Sequence, residues 1–159
     1  MVDRQKVVAL LTKHEGFRAT CYRDTRGFLT VGIGFNLDAA GAELRCIAAG
    51  LDYAALRAGQ AITLEQAQAL LAEGIQSAQD VATIAVRGFL DMPENVQLAV
   101  IDMIFNLGSH GFGQFHQLVA ALEAHDWEQG ANQMRASLWY GQVGARAKDD
   151  MDLVLSALL

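Results

Sequence analysis

Only two cysteines occur in the 159 residues, Cys21 and Cys46, and they form no CxxC pair. The plain reading is two reduced thiols from a reducing cytosol, with a bond between them left open. His14, His110, His116 and His125 lack metal-ligand spacing, and neither an HExxH nor a cysteine cluster accompanies them, so no metal is expected. Long apolar runs are missing too: the stretches are too short and too interrupted to span a bilayer, which argues against stable membrane insertion. The start, Met1-Val2-Asp3-Arg4, lacks the basic and apolar blocks of a secretory signal, predicting synthesis in the cytoplasm without a signal peptide. No basic stripe occurs either. Nine Arg and three Lys face 18 acidic residues, and the resulting charge of −6 repels nucleic-acid backbones. Gly32-Ile33-Gly34 has no third glycine and no following βαβ pattern, which excludes a dinucleotide loop, and no linker or repeat divides the chain.

What remains is a chain of one-domain length, 52% apolar, with enough hydrophobic material for a real core. Val7, Val8, Leu10 and Leu11 recur at helical spacing, and Gly16 supplies a left-handed stop just after Glu15. Asp24-Thr25-Arg26-Gly27 reads as a turn placed just past a helix, and Phe28 to Val31 as a strand. From there the chain reads as helical. The spacing predicts helices over 38–49, with a short turn of helix between 51 and 61, and a long one from Thr63, where Thr63 and Gln66 form a capping box. Its apolar side is read as Leu64, Ala67, Leu70, Leu71, Ile75, Ala78 and Val81, with Gly74 a point of weakness. A buried helix capped by Asp91 follows from Val96 to Leu107, ending at Gly108, then helices over 113–124, 126–136 and 144–159. Phe112, Phe115, Trp127 and Trp139 read as packing residues, whereas Phe105 and Asn106 close the buried helix and are placed to face a ligand.

Two acids stand out. Glu15 closes a helix, Asp24 follows nine positions later in a turn, and Thr30 comes six after that on a strand. Splitting a glycosidic bond takes an acid that protonates the leaving oxygen and a base or nucleophile at the opposite sugar face. Carboxyls in unlike surroundings divide those roles. Glu15, beside Gly16 and Phe17, fits the acid; Asp24, flanked by Arg23, Thr25 and Arg26, fits the anion, with Thr30 helping to hold a water.

The same residues carry a family pattern. Glu15-Gly16, Tyr22, Asp24-Thr25, Gly27, Thr30, Gly32 and Gly34, followed by FNLG at 105–108 and WYGQVGARA at 139–147, resemble the phage-type lysozymes, glycoside hydrolase family 24, in three blocks covering most of the chain. The resemblance implies an α+β, mostly helical fold of one domain, with a hairpin lobe at about 14–62, a helical lobe at about 1–13 and 86–159, and a connecting helix at about 63–85. It implies Glu15 as general acid, Asp24 as base-side carboxylate, Thr30 as its partner around the water, and Arg146 lying near Glu15. It further implies substrate contacts from Gly34, Asn36, Phe105, Asn106 and Gln133, no cofactor, and a monomer. The activity would be that of an endolysin, an inverting N-acetylmuramidase acting on peptidoglycan after release from the cell. The alternatives are a lytic transglycosylase using the same acid and a non-catalytic wall-binding or phage structural domain. Two positions depart from the pattern: Phe35 stands where many relatives have His, which leaves Asn36 to take up sugar contacts, and Gln133 stands where the family often has Asn.

Overall fold

A computed structural model describes residues 2–159. The order is α1 (Arg4–Glu15), β1 (Arg18–Arg23), β2 (Leu29–Gly32), β3 (Phe35–Asn36), α2 (Ala42–Ala48), α3 (Tyr53–Arg57), α4 (Leu64–Ala85), a 3₁₀ turn (Phe89–Asp91), α5 (Glu94–Phe112), α6 (His116–Glu123), α7 (Trp127–Arg135), α8 (Leu138–Val143), α9 (Ala145–Leu155) and a last 3₁₀ turn (Ser156–Leu158). The fold is α+β and mostly helical, as the sequence predicts. Its contacts divide into two compact units, a hairpin unit of Leu11–Gly74 and a helical unit of Met1–Leu10 with Ile75–Leu159.

In the hairpin unit the strands run in the order β1-β2-β3, all antiparallel. Tyr22 lies opposite Thr30, and Thr30 opposite Asn36, so Thr30 occupies the middle of the sheet. Val31, Ile33, Leu37, Cys46 and Leu56 are buried there, and α3 packs on β1. Both cysteines are free thiols; burial raises the pKa of Cys46 above that of an ordinary thiol.

Three local expectations fail in the structure. The segment before Asp24 is the strand β1, not a helix. The helix predicted from Asp38 begins only at Ala42, because the Asp38 carboxylate is committed elsewhere: it accepts from Leu29 N at 2.8 Å and from Arg57 Nη1 at 2.6 Å, which ties β2 to α3. Those same two partners, Leu29 N–H first, hold Asp38 below the usual carboxylate range. On α4 the capping box forms as predicted, with Thr63 N donating to Gln66 Oε1 and Gln66 N to Thr63 Oγ1. Its buried stripe, however, is Ala67, Leu70, Leu71, Ile75, Ala78 and Ala82, while Leu64 is exposed and Val81 half-buried.

The helical unit is built around α5, buried from Val96 to Ile104. It packs on α9, α9 on α7, and α7 on α6. Asp91 does not cap α5. It sits in the 3₁₀ turn, and the first carbonyl of the helix belongs to Pro93, which accepts from Gln97 N at 3.1 Å. The helical path breaks at Gly108 (φ 71°, ψ 169°), the predicted end. α6 starts at His116 instead of Gly113, because residues 113–115 are spent in turn hydrogen bonds. α8, capped by the Ser137 hydroxyl, has no counterpart in the sequence reading, and the final helix stops at Leu155. Phe112, Trp127 and Trp139 are buried, in line with packing roles.

Two acids are fully buried in this unit. Asp102 on α5 accepts a two-pronged contact from Arg146 on α9, Nε to Oδ2 at 2.7 Å and Nη2 to Oδ1 at 3.0 Å. Asp150, one turn beyond Arg146, has both carboxyl oxygens buried without a hydrogen-bond partner. Burial first, and the neighbouring Asp102 next, push Asp150 well above the carboxylate range, so the folded protein holds it protonated at neutral pH. The folded chain then binds a proton that the unfolded chain releases above about pH 4, and stability falls as pH rises through neutrality by at most about 1.4 kcal/mol per pH unit. Asp150→Asn removes that slope. Melting temperatures at pH 5 and pH 8 are expected to show a variant whose advantage over wild type grows with pH; a constant gap would mean that Asp150 carries no proton in the fold.

Candidate active site

The hairpin turn fixes Asp24 before any ligand arrives. Asp24 N donates to Phe28 O at 2.9 Å and Gly27 N to Asp24 O at 2.9 Å, closing the turn. Its side-chain Oδ1 accepts from Arg26 N at 2.8 Å and Phe28 N at 2.9 Å. These bonds orient the carboxylate, which is 21% exposed, and put the Arg26 guanidinium 3.7 Å from Oδ2. The sequence reads this turn correctly because Asp bonding its own downstream backbone is a local device.

Glu15 is the last residue of α1, and Gly16 ends the helix at φ +72°, its N–H returning to Thr12 O at 3.0 Å. The half-buried Glu15 side chain lies against the β2–β3 turn. A Cβ built on Gly34 would stand 3.0 Å from Glu15 Oε2, and Gly34 has φ +67°. The bare backbone of Gly34 therefore gives the carboxyl its seat. Gly34→Ala is expected to lose about 1–2 kcal/mol to left-handed strain and, by displacing Glu15, to lower the turnover rate up to about 100-fold. Rates on purified sacculi, with thermal unfolding as control, check this.

Thr30 is 3% exposed, and its Oγ1 donates to Phe28 O at 3.1 Å. Across the β1–β2 ladder, Tyr22 lies opposite it, half-buried, with the Arg18 guanidinium 4.1 Å above its ring. The Tyr22 hydroxyl is held above its ordinary pKa by burial first, against the lowering effect of Arg18, with Glu15 and Asp24 each adding to the rise. Tyr22 thus lies in the field of both carboxylates, which brings Glu15, Asp24 and Thr30 into one neighbourhood of the hairpin unit. Asn36 also belongs to it, but its Oδ1 accepts from Asp38 N at 2.8 Å. Phe35 carries the Arg45 guanidinium 5.2 Å above its ring.

The other sequence-predicted residues belong to the helical unit. Asn106 Oδ1 accepts from Trp139 Nε1 at 2.8 Å, so the end of the buried helix is fixed to α8; Phe105 beside it is half-buried. Gln133 lines a cavity of about 650 Å³ together with Gln114, Gln117, Gln142, Phe115 and Trp139. The two rings meet edge to face at 6.3 Å. Four glutamines and His116 are its polar side chains besides Ser137 and the Trp139 indole, and no Asp, Glu, Lys or Arg lines it, so it suits an amide-bearing ligand. Arg146 is buried and held by Asp102.

Comparison with known proteins identifies the family. The sequence profile described as Phage lysozyme matches residues 12–148, a range that takes in Glu15, Asp24, Thr30 and Arg146. The chain belongs to the phage lysozyme family. It is 28% identical over 160 aligned positions to the pre-baseplate central spike protein Gp5 of Enterobacteria phage T4, covering 94% of this chain and 28% of that protein. It is 29% identical over 105 positions to the endolysin of Salmonella phage P22, covering 66% of this chain and 62% of that one. The matches thus span less than two thirds of either relative.

Sequence reasoning takes Tyr22 only as part of the family pattern and passes over Asp102. Tyr22 is the next-to-last residue of β1, two before Asp24 in the turn that the strand leads into. Asp102 is a lone acid inside an apolar helix, and such an acid needs a buried partner. That signal is present in the sequence, although its partner 44 residues away is not marked. Among the described residues, no helix is long and apolar enough to cross a membrane.

Proposed function

We propose that this phage lysozyme is an inverting N-acetylmuramidase that hydrolyses the β-1,4 bond between N-acetylmuramic acid and N-acetylglucosamine in peptidoglycan. The observation that carries the reading is the pair of carboxyls held by different devices in one unit: Glu15 at a helix end against the bare backbone of Gly34, and Asp24 locked in the hairpin turn. Glu15 protonates the leaving oxygen while Asp24 takes a proton from water on the other face. The turn uses Asp24 Oδ1, which leaves Oδ2 for that water. Thr30 has its proton committed to Phe28 O, so its lone pairs accept the water's second hydrogen. In the hairpin unit Gly34 and Asn36 contact the glycan; in the helical unit Phe105, Asn106 and Gln133 do, the last from a cavity whose side-chain amides fit acetamido groups. The protein works as a monomer and reaches the wall after release from the cell that makes it.

The likeness to a spike protein over 94% of this chain favours a second role for the same chemistry, local wall cutting by a lysozyme domain of a phage particle. A lytic transglycosylase would keep Glu15 and need no water-holding Asp24. Mass spectrometry of digested sacculi separates the chemistries. Hydrolysis leaves reducing muramic ends, whereas anhydro ends would replace this reading by transglycosylation.

A further inference from the structure

The hairpin unit contains five arginines, Arg18, Arg23, Arg26, Arg45 and Arg57. Three are committed to the fold: Arg23 donates to Gly27 O at 2.8 Å, Arg45 to Ala40 O at 3.2 Å, and Arg57 to Asp38 at 2.6 Å. Arg26 is different. It stands at the tip of the turn that holds Asp24, its side chain is 74% exposed, and its guanidinium lies over the exposed Phe28 ring at 5.3 Å from the centroid. Its nearest charged partner is Asp24 Oδ2 at 3.7 Å, beyond hydrogen-bond length. The ring contact restricts the rotamers of the guanidinium, and its exposure leaves its donors open to a ligand. A planar, pre-oriented donor edge of this kind matches a carboxylate.

We propose that Arg26, seated on Phe28, is a specificity residue that binds a free carboxylate of the peptide carried by the glycan. The proposal rests on the muramidase reading and adds the part of the substrate recognised at the hairpin. The sugar backbone of peptidoglycan is uncharged where the lactyl group is amidated by peptide, so free carboxylates near the scissile bond belong to the peptide. A protein of net charge −6 repels such a substrate at long range, and a local cation beside the catalytic turn offsets that repulsion where it matters.

The test is a cycle between one side chain and one chemical change in the substrate. Sacculi freed of phosphate polymers are used native, or with peptide carboxylates converted to amides by carbodiimide and excess glycinamide. Wild type and Arg26→Gln are assayed on both, with Arg4→Gln, an exposed position of the helical unit, as a control for the same change in net charge. Loss of an exposed charge-assisted contact is expected to lower kcat/KM about 10-fold, mostly through KM, for Arg26→Gln on native sacculi. Amidation should cost wild type the same factor and cost Arg26→Gln nothing further, and Arg4→Gln should track wild type. An equal loss by Arg26→Gln on both kinds of sacculi would overturn the proposal, because Arg26 would then act through Asp24 and not on the substrate; the muramidase reading would stand. An unchanged Arg26→Gln would overturn it as well. Wild type that releases no reducing ends from either material would remove the muramidase reading and this proposal together.

Discussion

Glu15→Gln is expected to fold as wild type does and to lose activity by about 10²–10⁴-fold, the contribution of a positioned general acid. The amide keeps the shape of the carboxyl beside Gly34 but has no acidic proton to give the leaving oxygen. The comparison with Gly34→Ala sharpens the point. That variant keeps the acid and displaces it, so it should be impaired less than Glu15→Gln and lose stability more. Initial rates on sacculi, with circular dichroism and thermal melts for both proteins, check the order. A Glu15→Gln rate within about tenfold of wild type would remove Glu15 from the acid role, since removing a general acid costs more than that.

The second large effect is on stability. Arg146→Ala is expected to cost about 3–5 kcal/mol, because it strands the Asp102 carboxylate at a fully buried position. Asp150 is a second buried acid beside it and supplies no positive charge in place of the guanidinium. Denaturant unfolding at constant slope gives the value. The double variant Arg146→Met with Asp102→Leu should regain most of the loss, since an apolar pair of similar volume needs no compensating charge. A loss below about 1 kcal/mol for Arg146→Ala would place the pair in a far wetter setting than its burial indicates. An activity loss in the single variant is interpretable only where the protein is still folded.

What can be read from the sequence follows from how local each cause is. The stop at Gly16, the capping box of Thr63 and Gln66, and the turn around Asp24 are each set within four residues, and each forms as expected. The misplaced start of α2 has a distant cause: Asp38 looks like a helix cap, yet Leu29 and Arg57 claim its carboxylate. β1 escapes a reading by pattern because it is polar and largely exposed, with arginine at both ends. At Asp91 the capping preference loses to a 3₁₀ turn, with Pro93 taking the first helical carbonyl. Residue type and spacing are enough to single out Glu15, Asp24 and Thr30 as candidates, and all three fall in the hairpin unit. The seat that Gly34 provides and the position of Tyr22 in the field of both carboxylates require the sheet register.

The central claim is that Glu15 and Asp24 act as an acid and a base around a water, with Asp24 never bonding the sugar. Proton NMR of the newly formed reducing end, recorded in the first moments of digestion before mutarotation, tests it most directly. Inversion of a β-linked substrate gives the α anomer first, and that is the predicted result. The β anomer as first product would mean a covalent intermediate or its equivalent and would contradict the roles of Asp24 as base and Thr30 as holder of the water.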